Sequence, residues 1–360
     1  MNPTESLYRG GQSLWLDNIT RDLLKSGTLS RYVAESRIQG LTSNPTIFDH
    51  AIRKSTAYDA AIRDHLVARH VGERLFFELA LEDLTAAADL FRPVFERTAG
   101  VDGWVSLEVS PLLARDAKST LSEAKELHER ANRPNLYIKI PGTSEGLPAI
   151  EEAIFSGVPI NVTLLFSPAQ YLAAAEAYLR GLERRIDAGL SPDVSSVASL
   201  FISRWDVAVE GQVPERLVNT LGIAIGRSTY RAFAGLLSSA RWRRVLNFGA
   251  RPQRLLFAST GTKDPKASDI LYVKTLHAPL TVNTVPEKTL TAFIEHGELD
   301  TDWVDRAGEE ATLVEYRKAG IDLDALGEKL QDQGAASFVD SWNDMLSVLR
   351  EKSERIRATA

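Results

Sequence analysis

The stretch Leu136-Tyr137-Ile138-Lys139-Ile140 reads as a strand whose two faces differ in kind. Successive side chains along a strand point to opposite faces. Leu136, Ile138 and Ile140 therefore share one face, and Tyr137 and Lys139 share the other. The same parity recurs on both sides of it. In Val105-Ser106-Leu107-Glu108-Val109, Glu108 falls on the polar face. Leu14 and Leu16 oppose Trp15 and Asp17; Ile160, Val162 and Leu164 oppose Asn161 and Thr163; Leu200 and Ile202 oppose Ser199 and Phe201. With helices packed on the apolar faces, Lys139 and its polar counterparts point the other way, into an enclosed interior.

Working outward, short apolar runs at 13–17, 38–42, 104–109, 136–140, 160–165, 197–202, 255–258 and 279–282 alternate with longer segments of helical period, among them 119–130, 169–186 and 216–241. Eight strands alternating with helices predict an α/β fold with a parallel sheet closed into a (β/α)8 TIM barrel. The open doubly wound alternative would carry G-x-G-x-x-G after its first strand, and that fingerprint is missing. Residues 44–100 predict two or three extra helices between strands 2 and 3. Residues 301–360 predict a helical C-terminal extension packed outside the barrel, its closing Glu-Lys-Ser-Glu-Arg-Ile-Arg run reading as a solvated, fraying end. With no linker rich in Pro, Gly or Ser and no internal repeat, the 360 residues read as one domain.

Composition narrows the chemistry. Hydrophobic residues at 44% and charged residues at 25% are ordinary globular values. Forty-eight acids against 42 bases leave a net charge of −6, which argues against a nucleic-acid binder while allowing a local basic pocket for a small anion. Cysteine is absent, so disulfides, thiol catalysis and zinc–thiolate or iron–sulfur ligation are excluded. The six histidines are scattered, and His65 and His70 miss the four-residue spacing that stacks ligands on one helix face, so no metal site is expected. The first ten residues lack the apolar core of an export signal, and the charge-free stretch 153–175 is broken by Gly157, Pro159 and Pro168. A cytoplasmic protein without membrane or nucleic-acid partners is the expectation.

Polar groups at the C-terminal ends of several strands are what a barrel enzyme presents at its active face. Taken singly, Lys139 also fits a surface lysine, Glu108 or Asp17 a cap or ion pair, and Asn161 and Thr163 interior hydrogen bonds. Taken together they allow one specific chemistry. A lysine in a partly apolar site resists protonation, and its amine can attack a ketone to form a Schiff base, with two carboxylates moving protons.

Leu14-Trp15-Leu16-Asp17, Gly40-Leu41-Thr42-Ser43-Asn44-Pro45, Ser106-Leu107-Glu108-Val109, Ile138-Lys139-Ile140-Pro141 and Asn161-Val162-Thr163-Leu164-Leu165-Phe166-Ser167 follow one another in an order that resembles the transaldolases of the pentose phosphate pathway, in particular their longer bacterial form. The resemblance covers roughly residues 10–290. It implies an α/β barrel working without cofactor or metal on sugar-phosphate substrates, moving a dihydroxyacetone unit from sedoheptulose 7-phosphate to glyceraldehyde 3-phosphate. Lys139 is then the Schiff-base residue, Glu108 with a water on Thr163 the proton shuttle, and Asp17 the base for the C4 hydroxyl. Asn44 and Asn161 hold hydroxyls, and Ser199 and Phe201 belong to the strand-six segment. Arg204, Ser259 and Lys263 are assigned to the phosphate, although the short family form carries Ser-x-Arg after strand seven and this chain lacks that arginine. A fructose-6-phosphate aldolase and a non-catalytic sugar-phosphate-binding barrel stand as alternatives. A homodimer is left open.

Overall fold

A computed structural model describes residues 2–300, 304 and 308–359. Eight parallel strands close into a barrel in sequence order: β1 Gln12–Asp17, β2 Ile38–Thr42, β3 Trp104–Glu108, β4 Leu136–Pro141, β5 Ile160–Leu165, β6 Ser196–Phe201, β7 Arg254–Ala258 and β8 Thr281–Val285. Closure is made by β1 on β8, from Gln12↔Thr281 to Leu16↔Val285. Three helices, Pro45–Lys54, Asp59–Val67 and Gly72–Arg97, fill the segment between β2 and β3, as predicted.

The parity of the strands divides the core in two. Leu14, Leu16, Leu107, Ile138, Ile140, Val162, Leu200 and Phe257 join the layer between sheet and helices. Trp15, Trp104, Tyr137, Val197, Phe201 and Leu256 form a separate inner cluster. At the N-terminal end the lumen is filled by rings: Trp104 stacks on Tyr137 with centroids 4.0 Å apart. Gly40 makes room for them, because a Cβ there would lie 2.6 Å from the Trp15 ring and 2.8 Å from the Trp104 carbonyl. Beside the rings a buried ion pair joins Arg254 Nη1 to Asp102 Oδ1 at 2.9 Å, and Ser13 Oγ donates to Asp102 Oδ2 at 2.7 Å. A packed lower lumen leaves the C-terminal ends of the strands as the open face.

Four expectations are corrected. The last strand begins at Thr281, two residues after the predicted start, because Pro279 offers no N–H to the ladder and Leu280 takes a left-handed φ of 59°. The predicted helix at 216–241 divides into a short turn Glu215–Leu217 and helices Leu221–Ser238 and Ala240–Asn247. The break falls at Ser239, whose extended backbone frees its Oγ to cap Trp242 N at 3.1 Å. Leu164 leaves the face of Ile160 and Val162: its φ of 58° and a register shift between Val162 and Leu165 turn it into the inner cluster.

The C-terminal extension packs outside the barrel, as expected, and lies across its mouth; the fourth correction concerns its closing run. Residues 301–303 and 305–307 fall outside the described residues; beyond them helices Glu309–Lys318 and Leu323–Thr359 follow. Gln331 Nε2 donates to the carbonyls of Leu164 (2.8 Å) and Gly142 (3.1 Å), at the ends of β5 and β4. The closing run is docked: Lys352, Ser353 and Ile356 are buried, and Lys352 Nζ donates to Asp59 Oδ1 at 2.8 Å.

Asp102→Ala would strand the Arg254 charge in the lumen. Urea unfolding should show a loss of about 3–5 kcal/mol. Asp89→Ala, at the exposed Asp89–Arg133 pair, should cost only about 0–1 kcal/mol. Equal losses would show that the lumen pair is not buried as described.

Candidate active site

Lys139 and Glu108 face each other because β3 and β4 pair in the register Val105↔Leu136 through Glu108↔Lys139. Both side chains are about nineteen parts in twenty buried, at 6% and 5% exposure. Lys139 Nζ donates to Glu108 Oε2 at 3.1 Å and to the Ser43 carbonyl at 2.9 Å. On the other side Asn161 of β5 is in register with Lys139. Its amide is fully engaged within the lumen: Nδ2 donates to Ser106 Oγ at 3.1 Å, and Oδ1 accepts from Ser199 Oγ at 2.7 Å. Glu108 Oε1 and Thr163 Oγ1 are buried and have no hydrogen-bond partner from the protein.

Asp17 ends β1 opposite Thr42 of β2. Thr42 Oγ1 donates to Asp17 Oδ1 at 2.7 Å and sits 2.7 Å from Thr284 Oγ1, which therefore serves as donor to it. Asn44 follows β2 as the cap of the helix Pro45–Lys54, its Oδ1 accepting from Ile47 N at 3.1 Å with Pro45 at the first helical position. Capping occupies the carbonyl oxygen, and Asn44 lines the cleft.

A cleft of about 310 Å³ opens above these groups, lined by Asp17, Asn44, Lys139, Thr163, Ser199 and Phe201 and, toward its rim, by Arg204, Ser259 and Lys263. Nine of the eleven sequence-predicted residues thus meet in one cavity, while Glu108 and Asn161 lie beneath its floor. Neither Arg204 nor Lys263 makes an ion pair among the described residues; the Arg204 guanidinium lies 5.5 Å from the centre of the Phe201 ring. Ser259 has a left-handed φ of 55°, and its Oγ lies 2.9 Å from Ser203 Oγ. The rim is cationic and the floor carries the acids.

Burial pushes the Glu108 carboxyl above its ordinary range, the Lys139 charge pulls it back, and the Asp17 charge pushes it further up. Burial likewise raises Asp17, against the Thr42 hydrogen bond and the charges of Lys139 and Lys263. Desolvation lowers Arg204, although a guanidinium stays charged. Two acids with raised proton affinity beside one amine are equipped to take and return protons.

Five contributors escaped sequence reasoning. Thr42, Ser43 and Ser106 stood within the quoted motifs, and the parity of β2 and β3 could have found Thr42 and Ser106. Thr284 lay beyond the predicted end of the last strand at Val282. Phe338 comes from the terminal helix, lies 5.9 Å from Lys139 Nζ at its ring centre, and meets the Phe201 ring at 6.4 Å.

Barrel closure, a lysine–glutamate contact at the C-terminal ends of adjacent strands and a cationic rim define an α/β-barrel protein with its functional site at the strand ends. The chain belongs to the transaldolase/fructose-6-phosphate aldolase family, whose model matches residues 14–349. It is 43% identical over 357 residues to a protein of Thermobifida fusca named transaldolase, with 96% of each chain covered. A transaldolase of Thiobacillus denitrificans is 42% identical, covering 96% of this chain and 99% of its own. One of Trichodesmium erythraeum is 37% identical, with 96% of both chains covered. Among the described residues no three His, Cys, Asp or Glu side chains gather as a metal site, and no helix is long and apolar enough to cross a membrane.

A hydrogen bond to an ionised carboxylate contributes about 1.5–3 kcal/mol. Thr42→Val should therefore raise the titration of Asp17 by roughly one to two pH units, read from its carboxyl 13C shift, while Thr42→Ser should not. An unmoved titration in the valine variant would remove Thr42 from the control of Asp17.

Proposed function

We propose that this chain is a transaldolase that carries a three-carbon dihydroxyacetone unit on Lys139. The observation that carries the reading is the 3.1 Å contact between Lys139 Nζ and Glu108 Oε2, buried at the floor of a cleft whose rim holds two cations without carboxylate partners among the described residues. The names of the relatives point the same way.

Transfer of a proton from Lys139 to Glu108, whose carboxyl is raised in proton affinity by burial, frees an amine. The amine attacks the ketone carbon of the donor sugar. Glu108, with a water on the Thr163 hydroxyl, carries the protons that expel the carbinolamine oxygen as water and leave an iminium. Asp17 then accepts the proton of the C4 hydroxyl, and the C3–C4 bond breaks as its electrons enter the iminium. Sedoheptulose 7-phosphate loses erythrose 4-phosphate in this step, and the three-carbon enamine stays on Lys139. The enamine attacks glyceraldehyde 3-phosphate, Asp17 returns its proton to the new hydroxyl, and hydrolysis of the imine releases fructose 6-phosphate.

The remaining residues position this sequence. Asn44 Nδ2 is placed for a substrate hydroxyl, and Ser199 is held by Asn161 from below. Arg204, with its planar paired donors, takes the phosphate together with Lys263 and Ser259. A base must be ionised to act, and burial raises Asp17. The acid limb of kcat is accordingly expected above the usual aspartate value of about 3.9.

Borohydride added with fructose 6-phosphate should trap an adduct on Lys139, and Lys139→Met should abolish both adduct and turnover. Asp17→Ala should still form the adduct with fructose 6-phosphate while carbon–carbon cleavage falls about 10²–10⁴-fold. Failure to label Lys139 in the wild-type chain would overturn the reading; sustained dihydroxyacetone release without an acceptor would favour the aldolase. Arg204→Ala should raise KM for phosphorylated substrates and spare unphosphorylated ones, and equal loss on both would make Arg204 structural.

A further inference from the structure

The terminal helix places one face against the open end of the barrel. Gln331, Gly334, Phe338 and Trp342 succeed one another at helical spacing along that face. Gln331 is bonded to the ends of β4 and β5. Gly334 lets the helix sit close, since a Cβ there would lie 3.0 Å from Leu164 Cδ2 and 3.4 Å from Arg204 Nη1. Trp342 Nε1 donates to Glu73 Oε1 at 2.9 Å. Between these fixed points Phe338 is 6% exposed, with its ring over Lys139 Nζ and against Phe201. It brings no donor, acceptor or titratable group to its side of the amine.

Taking the Schiff-base reading as given, we propose that Phe338 is a positioning residue that shields the lysine-bound enamine from water and so decides between transfer and release. The competing branch is balanced by one water. The enamine carbon takes a proton to become an iminium, water adds to the iminium carbon, and the carbinolamine C–N bond breaks. Free dihydroxyacetone leaves and Lys139 recovers its amine. An apolar ring near the nitrogen adds no second proton relay to that of Glu108 and the Thr163 water, and it keeps further water off the enamine; limiting water in this way slows hydrolysis of a reactive intermediate. Arg204 and Lys263 line the same cleft as Phe338 and offer the acceptor's phosphate its cationic partners beside the ring.

The test is the ratio of dihydroxyacetone released from fructose 6-phosphate alone to the three-carbon unit transferred when acceptor is present. Phe338→Ala should raise that ratio about tenfold or more, equivalent to about 1.4 kcal/mol in relative barriers. Phe338→Leu should fall between it and wild type, and Phe338→Tyr should stay near wild type. Far-ultraviolet circular dichroism and borohydride labelling of Lys139 in each variant show that barrel and amine persist. Loss of transfer and release together, with the ratio unchanged in both Phe338→Ala and Phe338→Leu while the adduct still forms, would reduce Phe338 to packing. An absent adduct in the wild-type chain would instead overturn the Schiff-base reading on which this rests.

Discussion

Placement of Lys139 against Glu108 depends on one register, and most of the upper barrel depends on that placement. Parallel neighbours one residue out of step would bring each side chain opposite a group meant for the other face of the sheet. The step between β3 and β4 is held from below. Trp104 and Tyr137 stack on the luminal side, Trp104 two residues before Ser106 on β3 and Tyr137 two residues before Lys139 on β4. Val105 N donates to the Asn135 carbonyl at 3.0 Å and Val109 N to the Lys139 carbonyl at 3.2 Å. Asn135 in turn donates its amide to the Ala88 and Gly103 carbonyls, each at 2.8 Å, tying the start of β4 to the helix and turn before β3. A wrong step would bury two charges without partners, at several kcal/mol each, so the pair also selects against the misregistered barrel.

From that pair the lumen is organised in layers of decreasing apolar character. Lowest are the rings and the Arg254–Asp102 ion pair, with Ser13 Oγ bridging its two partners. Next comes the chain Ser106–Asn161–Ser199, which links β3, β5 and β6 through the interior. Above it lie Lys139, Glu108, Asp17, Thr42 and Thr284. Hydrogen bonds that cross the lumen hold side chains the ladder alone would leave free to rotate, and satisfied polar networks of this kind are stiff. In the upper layer, Glu108 Oε1 and Thr163 Oγ1 keep spare hydrogen-bonding capacity.

Strand parity made this arrangement legible because a barrel has only two sides, and the apolar residues of β1, β3, β4 and β6 declare which side is outer. It failed where the backbone itself departs from alternation. Leu164 is turned inward by a left-handed φ that no residue pattern announces. Thr284 was overlooked because the predicted last strand ended at Val282, whereas β8 runs on to Val285. Lys352 and Ser353 were read as solvated from the surrounding charges, yet they take the same helix face as Met345 and Leu349, which are buried. Charge density said nothing of that face, whereas a three-to-four-residue spacing did. Phe338 is the deeper miss: an aromatic nearly 200 residues beyond Lys139 carries no sign of which surface its helix will cover.

How firmly that helix is held bears on how substrate reaches the lysine. Trp342 is 1% exposed, its ring meeting Phe76 edge-on at 4.8 Å and Phe77 at 5.6 Å. Burial of such a side chain is worth about 3–5 kcal/mol against truncation. Glu73, which accepts from Trp342, also accepts from Ser110 Oγ at 3.1 Å, two residues past Glu108, so the helix is joined to the exit of β3. Farther on, the buried Lys352 is joined to Asp59. Lifting the helix would break these contacts together and expose the apolar stripe they hold down, a cost comparable with the stability of an ordinary domain. A cleft already open beside the helix, between Asn44, Arg204 and Lys263, requires none of that. Arg204 and Lys263 make the side of that cleft cationic, and Phe338 of the helix lines it with them.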